Sequence, residues 1–312
     1  MAGEHPQFDV LGFGAVAVDE LLLIDQYPPA ESKVRVRRRE QQCGGLTGTA
    51  LVAAARLGAR CAYVGRIGDD DLSQVVMNRL AMEGVELAHA VRASDATPAH
   101  STILVDRRNH TRTIFASVAG RLGADPAGPE PGLIQAASCI LIDHHGGDGS
   151  LRAARLARAA GRAVVADFER RGDGPFEEVL AEVDHLVIGR RFARELSGEV
   201  DPRRAAQALW TGRRAAVVVT CGADGCWYVG RDGAGAHEPR HERSLEVDVV
   251  DTTGCGDVFH GAYAAALAEG LSVEQCVRLA SVAAGLKARH LGGQTGCPRR
   301  EDVDLVLAGN RR

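Results

Sequence analysis

From about residue 130 onward, short apolar runs alternate with amphipathic segments, and this alternation narrows the available folds more than any other feature of the chain. Cys139–Asp143, Ala163–Asp167, His185–Ile188 and Ala215–Thr220 each read as a buried strand. Gly149–Ala160, Phe176–Ala181 and Pro202–Thr211 read as the helices between them. Buried strands joined by helical crossovers predict a parallel, doubly wound sheet with helices on both faces. Aromatics make up only 4% of the chain, while Ala, Val, Leu and Gly are abundant. That supply suits a core of small aliphatic side chains between helices and a sheet.

The first 120 residues are patterned differently. Val10–Val18 reads as a strand containing Gly12 and Gly14. Glu20–Ile24 and Lys33–Arg39 read as strands around the turn Tyr27-Pro28-Pro29. The string KVRVRRRE alternates polar and apolar residues, and its charges would guard an exposed β-face against edge pairing. Gly44–Gly58 predicts a helix with Gly58 at its end, Cys61–Ile67 a strand and Leu72–Gly84 a helix. His100–Asp106 and Thr111–Ala116 predict a hairpin about Arg107–His110. The β-rich pieces, about 15–43 and 96–117, thus look like a small sheet inserted into the α/β body. Near the C-terminus the pattern predicts a strand up to Val250 and a helix from about Asp257 to Glu269. Further helix starts are expected near Ser272 and near Glu274, the latter running through His290. No repeat or linker interrupts residues 1–312, so a single domain is expected.

Several function classes are excluded. The formal charge of -4 offers no basic field for nucleic acid. No apolar run reaches the length of a membrane span, and MAGEHPQFDV lacks the basic start and apolar stretch of a secretory signal. None of the eight cysteines forms a Cys-x-x-Cys pair. Reduced thiols acting as small hydrophobes, and a cytoplasmic location, follow.

The segment VDVVDTTGCGDVFHGAYAAAL, residues 247–267, carries the chemistry. It reads as a strand, a loop with Gly254 and Gly256, and a helix. Glycines let the backbone approach a ligand closely. The first turn of a helix has unpaired N–H groups and the positive end of the dipole. Together they form a hole for a phosphate. Asp257 stands at that point. A helix cap is the commoner reason for an Asp there. Beside an anion hole, it can also accept the proton of an attacking hydroxyl.

The whole string resembles the second signature of the ribokinase (PfkB) family of carbohydrate kinases, Asp-Thr-x-Gly-x-Gly-Asp. The resemblance implies that Asp257 is the catalytic base and that the amides of Gly254, Cys255, Gly256 and Asp257 form the anion hole. Cys255 departs from the usual Ala or Gly, but only its main chain is needed. The similarity extends over nearly the whole chain. Phe13–Asp19 resembles the family's first strand, whose Asp, here Asp19, binds sugar hydroxyls. Gly44-Gly45-Leu46-Thr47-Gly48-Thr49 stands where the family has Gly-Gly-x-x-x-Asn, so Gly44, Gly45 and Thr49 would face the sugar, with Thr49 altering one contact. Val219–Gly225 resembles the nucleotide loop, which implies Thr220, Gly222 and Gly225 beside ATP. Gly292–Pro298, with Asp251 and Thr253, resembles a loop that holds a monovalent cation in some relatives. K+ is then the candidate ion, although Gly296 lacks a hydroxyl often found there.

One block departs further. The family's Asn-x-x-Glu, linked to magnesium, is represented by Gly189 and Phe192. Mg2+ would then be held mainly by ATP phosphates and water, with at most one carboxylate. The contexts VVDTTGCGDVFHGA and LKARHLGGQTGCP look more like the ketohexokinase and sulfofructose kinase branch. Two other groups are weaker candidates. Asp143, His144, His145 and Asp148 could suggest a metal site, but contact of one histidine with substrate or phosphate is the better reading. Arg107, Arg108 and Arg112 could reach an anionic sugar, although a solvated turn is the commoner role.

The resemblance implies a ribokinase-like three-layer α/β/α sandwich with a small β-sheet lid. ATP-dependent phosphorylation of a small ketose or pentose is the implied activity. The open edges of such a lid sheet would permit a homodimer. A nucleoside kinase would usually stack its base on aromatics, which this chain scarcely has, and a catalytically silent nucleotide-binding regulator would not need Asp257.

Overall fold

A strand sends successive side chains to opposite faces, so a strand with no wet face serves two cores at once. The central strands of this chain do so. The computed structural model describes residues 6–109, 111–172, 174–231 and 238–309. In chain order its strands are β1 (Phe8–Phe13), β2 (Ala17–Ile24), β3 (Arg38–Gly44), β4 (Cys61–Tyr63), β5 (Arg66–Ile67), β6 (Val91–Arg92), β7 (Ala99–Asp106), β8 (Thr111–Ser117), β9 (Ala137–Asp143), β10 (Ala163–Phe168), β11 (His185–Gly189), β12 (Ala216–Thr220), β13 (Cys226–Gly230) and β14 (Arg240–Glu242). The helices are α1 (Leu46–Arg56), α2 (Asp71–Met82), α3 (Pro131–Gln135), α4 (Gly147–Ala159), α5 (Phe176–Glu182), α6 (Arg190–Ser197), α7 (Pro202–Leu209), α8 (Cys255–Ala268), α9 (Val273–Lys287) and α10 (Arg300–Gly309).

The large sheet runs β14-β13-β12-β11-β10-β9-β1-β4. From β4 to β12 all pairs are parallel, and β13 and β14 add an antiparallel edge. Cys139, Leu141, Val165, Val187 and Val218 point to one core, shared with α1, α2, α8 and α9. Ile140, Ile142, Val164, Ala166, Leu186 and Val217 point to the other, shared with α4, α5, α6 and α7. Three layers result. The chain leaves β1 towards β4 on one side and returns through β9 on the other, so the sheet reverses its winding at β1. The carboxyl ends of strands at such a reversal are where ligands of open α/β sheets bind.

A second sheet, β3-β2-β7-β8, is built from the two early β-rich pieces. Its small apolar cluster is Leu21, Ile103 and Val105, with Leu23 and Leu291 against it.

Five expectations change. Val10–Val18 is not one strand: it breaks after Phe13, where the Ala15 N–H donates to Asp143 Oδ2 (2.6 Å) instead of to a ladder. Asp19 therefore lies in the small sheet. Cys61–Ile67 likewise divides into β4 and β5. The alternating KVRVRRRE does not pair at its start; the ladder begins at Arg38, opposite Leu23, and 33–37 remain exposed loop. Residues 247–250 form no strand, and the Val250 N–H donates to the Ala288 carbonyl. The two helix starts near 272 and 274 are one helix, α9, begun by a reciprocal capping box of Ser272 and Gln275. Helices α6 and α10 and the edge strands β13 and β14 were not foreseen from the pattern. His110 lies outside the described residues.

Candidate active site

Helix α8 is preceded by Gly254 as its N-cap, whose φ of 77° is open to few residues other than glycine. A Cβ there would also press on Gly293, at 2.8 Å from its Cα. No side chain caps this end. The Cys255 N–H donates to the Thr252 carbonyl (3.2 Å), so that amide closes the turn. Among the described residues, the amides of Gly254, Gly256 and Asp257 donate to no protein acceptor. Of the four residues expected to form the anion hole, Cys255 alone spends its amide on the turn, and the N–H groups of Gly254, Gly256 and Asp257 stay free.

The Asp257 side chain is half-buried in the first turn. Burial pushes its pKa well above the usual carboxylate range, and the charges of Asp167, Glu169 and Asp19 add to this, while Arg112 opposes it. Asp167, next to the end of β10, lies beside Asp143 of β9. It is buried, and its Oδ2 has no hydrogen-bond partner. His260, three residues after Asp257 and so on the same helix face, places Nδ1 3.2 Å from that oxygen. The same nitrogen lies 2.7 Å from the Gly256 carbonyl, and Nε2 lies 2.8 Å from the Val187 carbonyl. His260 therefore ties the first turn of α8 to β11. Burial lowers its pKa although both carbonyl contacts favour the cation. Sequence reasoning passed over His260; its spacing from Asp257 was the available signal.

A cavity of about 600 Å³ opens beside this turn. Thr220, Gly222 and Gly225 line it, together with Cys255 and Gly256. Apolar walls come from Leu245, Val247, Phe259 and Ala284. Gly222 and Gly225 have φ of 61° and 80°, and a Cβ at Gly225 would collide with the Glu242 carbonyl. Arg112, on β8 of the small sheet, also lines the cavity and donates to Thr252 Oγ1. The three arginines of the hairpin thus separate. Arg107 lies near Asp25 and Arg108 donates to Gln26, both away from the cavity. A second cavity, of about 540 Å³, lies by Gln7, His89 and Ala136 and contains none of the candidate residues.

Asp19 on β2 is buried, and burial pushes its pKa up to about 6, against a hydrogen bond from Ser101 and the charge of His100. A Cβ at Gly44 would collide with its carboxylate. Gly45, with φ of 87°, starts α1, and a Cβ there would press on the Ala15 carbonyl at 2.6 Å. Thr49 is different. It is 0% exposed, and its hydroxyl has no partner. It stands behind the glycine pair and does not open to the cleft.

Asp143 serves as a clasp. It accepts from Ala15 N–H (2.6 Å), Thr47 Oγ1 (3.0 Å) and His145 N–H (2.8 Å), which leaves it little capacity for a metal. A Cβ at Gly14 would collide with this clasp. Burial pushes the neighbouring His144 down to about 3, so it is neutral, and its Nδ1 is buried without a partner. Among the described residues no group of three His, Cys, Asp or Glu could hold a metal ion. Gly189 ends β11 and Phe192 is buried in α6, so neither supplies a ligand. All eight cysteines are free, and seven are buried.

In the loop expected to hold a monovalent cation, protein donors bond to Asp251. Asp251 Oδ1 accepts from the Thr253 N–H (2.9 Å) and Oγ1 (2.8 Å), and Oδ2 accepts from the Gly292 N–H (2.8 Å). The Asp251 carbonyl accepts from Lys287 Nζ at 2.9 Å.

Residues 14–300 match the profile of the pfkB family carbohydrate kinases. The chain belongs to this family, and its architecture is the ribokinase-like α/β/α sandwich. It is 25% identical over 297 residues to the ribokinase of Haemophilus influenzae, an alignment covering 93% of this chain and 95% of that relative. A crystal structure from Agrobacterium tumefaciens superposes with a TM-score of 0.89 at 29% identity, covering 97% of this chain and 98% of that one. The ribokinase of Arabidopsis thaliana, solved with ribose and ATP, superposes with a TM-score of 0.80 over 97% of this chain and 99% of its own. At 23% identity that likeness speaks for the fold alone.

Proposed function

We propose that this chain transfers the terminal phosphoryl group of ATP to a hydroxyl of a small sugar, a ketose or pentose. One observation carries the reading: the free amides of Gly256 and Asp257 and the Asp257 carboxylate share one helix turn, whose Cys255 and Gly256 line the large cavity. The adenine side of ATP lies against the apolar walls, with its phosphates over Thr220, Gly222 and Gly225. The sugar lies between the two sheets, with two hydroxyls on Asp19 and its ring against Gly44 and Gly45. Thr49 supports that glycine pair from behind.

The acceptor oxygen attacks the γ-phosphorus as the bond to the β-phosphate oxygen breaks. The proton of the hydroxyl passes to Asp257, and ADP leaves. The raised pKa makes Asp257 a stronger base than an exposed Asp. Charge that develops on the moving phosphoryl group meets the amides of Gly256 and Asp257, the α8 dipole and the Arg112 guanidinium. Magnesium, when bound with ATP, neutralises the phosphate charge and is held mainly by phosphates and water. The four-stranded sheet acts as a lid that keeps water from the phosphoryl group. Its edge strand β8 exposes Ile114 and Phe115, which suits pairing of two lids in a dimer. Free thiols and use of ATP suit the cytoplasm.

An ADP-release assay over ketoses, pentoses, their phosphates and nucleosides tests this reading. Turnover on a ketose or pentose is expected. Turnover confined to nucleosides would replace the acceptor class, and none with any acceptor would defeat the kinase assignment.

A further inference from the structure

The chain has only two lysines among its 37 Lys and Arg residues, Lys33 and Lys287. Lys33 is exposed on a loop, whereas Lys287, the last residue of α9, is 0% exposed. A compact ammonium has therefore been kept at one dry position in a chain that otherwise uses arginine. A planar guanidinium would not converge on two nearby oxygens in the same way.

The geometry around Lys287 is that of a cation site. Its Nζ donates to the Asp251 carbonyl at 2.9 Å and to the His290 carbonyl at 3.3 Å. The first carbonyl belongs to the loop that leads into α8, the second to the turn after α9. The Asp251 carboxylate adds negative potential. That carboxylate is held in place by the Thr253 N–H and hydroxyl on Oδ1 and by the Gly292 N–H on Oδ2. Two carbonyl dipoles and a carboxylate gathered in a dry spot need a positive charge. Gly296, which brings no hydroxyl to this place, packs on the His290 side chain instead. The two loops meet again where Gly254 lies on Gly293.

We infer that Lys287 is a built-in cation: its ammonium joins the Asp251–Gly254 turn to the His290–Gly293 turn where a bound monovalent ion would otherwise do so, and phosphoryl transfer by this chain does not depend on potassium. Lys287 is a positioning residue. It touches neither nucleotide nor sugar and acts by fixing the turn that carries the Gly256 and Asp257 amides. The inference deepens the kinase reading and rests on it for its catalytic part.

The test compares potassium chloride with choline chloride at equal ionic strength, in wild type and in Lys287→Ala and Lys287→Met. Wild-type ADP release is expected to be the same in both salts. Lys287→Ala should lose roughly tenfold or more in choline, mostly in kcat, and regain part of it in potassium or ammonium. Lys287→Met fills the space without charge and should not be rescued. Thermal midpoints give a readout free of catalysis: potassium should raise that of Lys287→Ala and leave wild type unchanged. Severalfold activation of wild type by potassium would overturn the inference, as would a Lys287→Ala variant with wild-type rate and no salt response. If Lys287→Ala fails to fold, the wild-type response still decides. If wild type phosphorylates nothing, the proposed function fails and the thermal midpoints still decide the role of Lys287.

Discussion

In the large sheet, β9 to β12 are almost wholly buried on both faces, whereas β8 of the small sheet is exposed along nearly its whole length. The body positions Asp257, Asp167 and His260 on elements packed from two sides. The small sheet brings Asp19 and Arg112, and Arg112 meets the body through a hydrogen bond to Thr252. A packed element holds a group within tenths of an ångström, and a lightly packed one can move with its ligand. The division suggests that the body sets the chemistry and the small sheet sets when the site is complete.

The comparison breaks first at Asp257. Asp257→Asn keeps the volume and removes the base, so kcat should fall by about two to four decades. Its thermal midpoint should hold or rise, because the ionised carboxyl is disfavoured by burial and by Asp167 in the folded state. Steady-state ADP release and a melting curve measure both. Turnover near that of wild type would remove Asp257 from the mechanism and leave it a helix-start residue.

Arg112 tests the other half. Arg112→Met should lower kcat by roughly one to two decades, with a smaller change in the sugar KM. Arg112→Lys should recover part of the loss, since charge returns without the planar fork. A folded Arg112→Met variant with unchanged kcat would mean that the small sheet brings only sugar contacts to the site.

What could be read in the sequence follows the same division. Strands buried on both faces leave continuous apolar runs, so Cys139–Asp143, Ala163–Phe168, His185–Gly189 and Ala216–Thr220 were visible almost residue for residue. The α8 turn was visible because glycine spacing and a helix start are local. The edges were not. Lys33–Arg37 alternates as a strand should, but alternation does not supply a partner, and the ladder starts at Arg38. The break after Phe13 was hidden because its cause, the Asp143 carboxylate, lies 128 residues away in sequence. Lys287 reads locally as an ordinary charge at a helix end; only the fold brings the Asp251 and His290 carbonyls to it. In the sequence Arg112 looks like Arg107 and Arg108, and only its bond to Thr252 in the loop before α8 separates it from them.

The smallest expected effect concerns Asp19 and carries two opposite signs. Its carboxyl has the ordinary value of 3.8 when unfolded and about 6 when folded, through burial. The folded state holds that proton more tightly, so this group's contribution to stability is greatest below pH 3.8 and falls as pH rises to about 6. Above that the folded protein carries a constant penalty, of about 3 kcal/mol. In the proposed function the same charge that burdens folding accepts two sugar hydroxyls. Asp19→Asn should therefore raise the thermal midpoint at neutral pH by a few degrees and raise the sugar KM by about tenfold. In wild type the KM should climb as pH falls through about 6, and in the variant that limb should vanish. A variant that melts lower at neutral pH, with a KM that still follows pH, would show that Asp19 is a structural acceptor for Ser101 and that sugar recognition lies elsewhere on the small sheet.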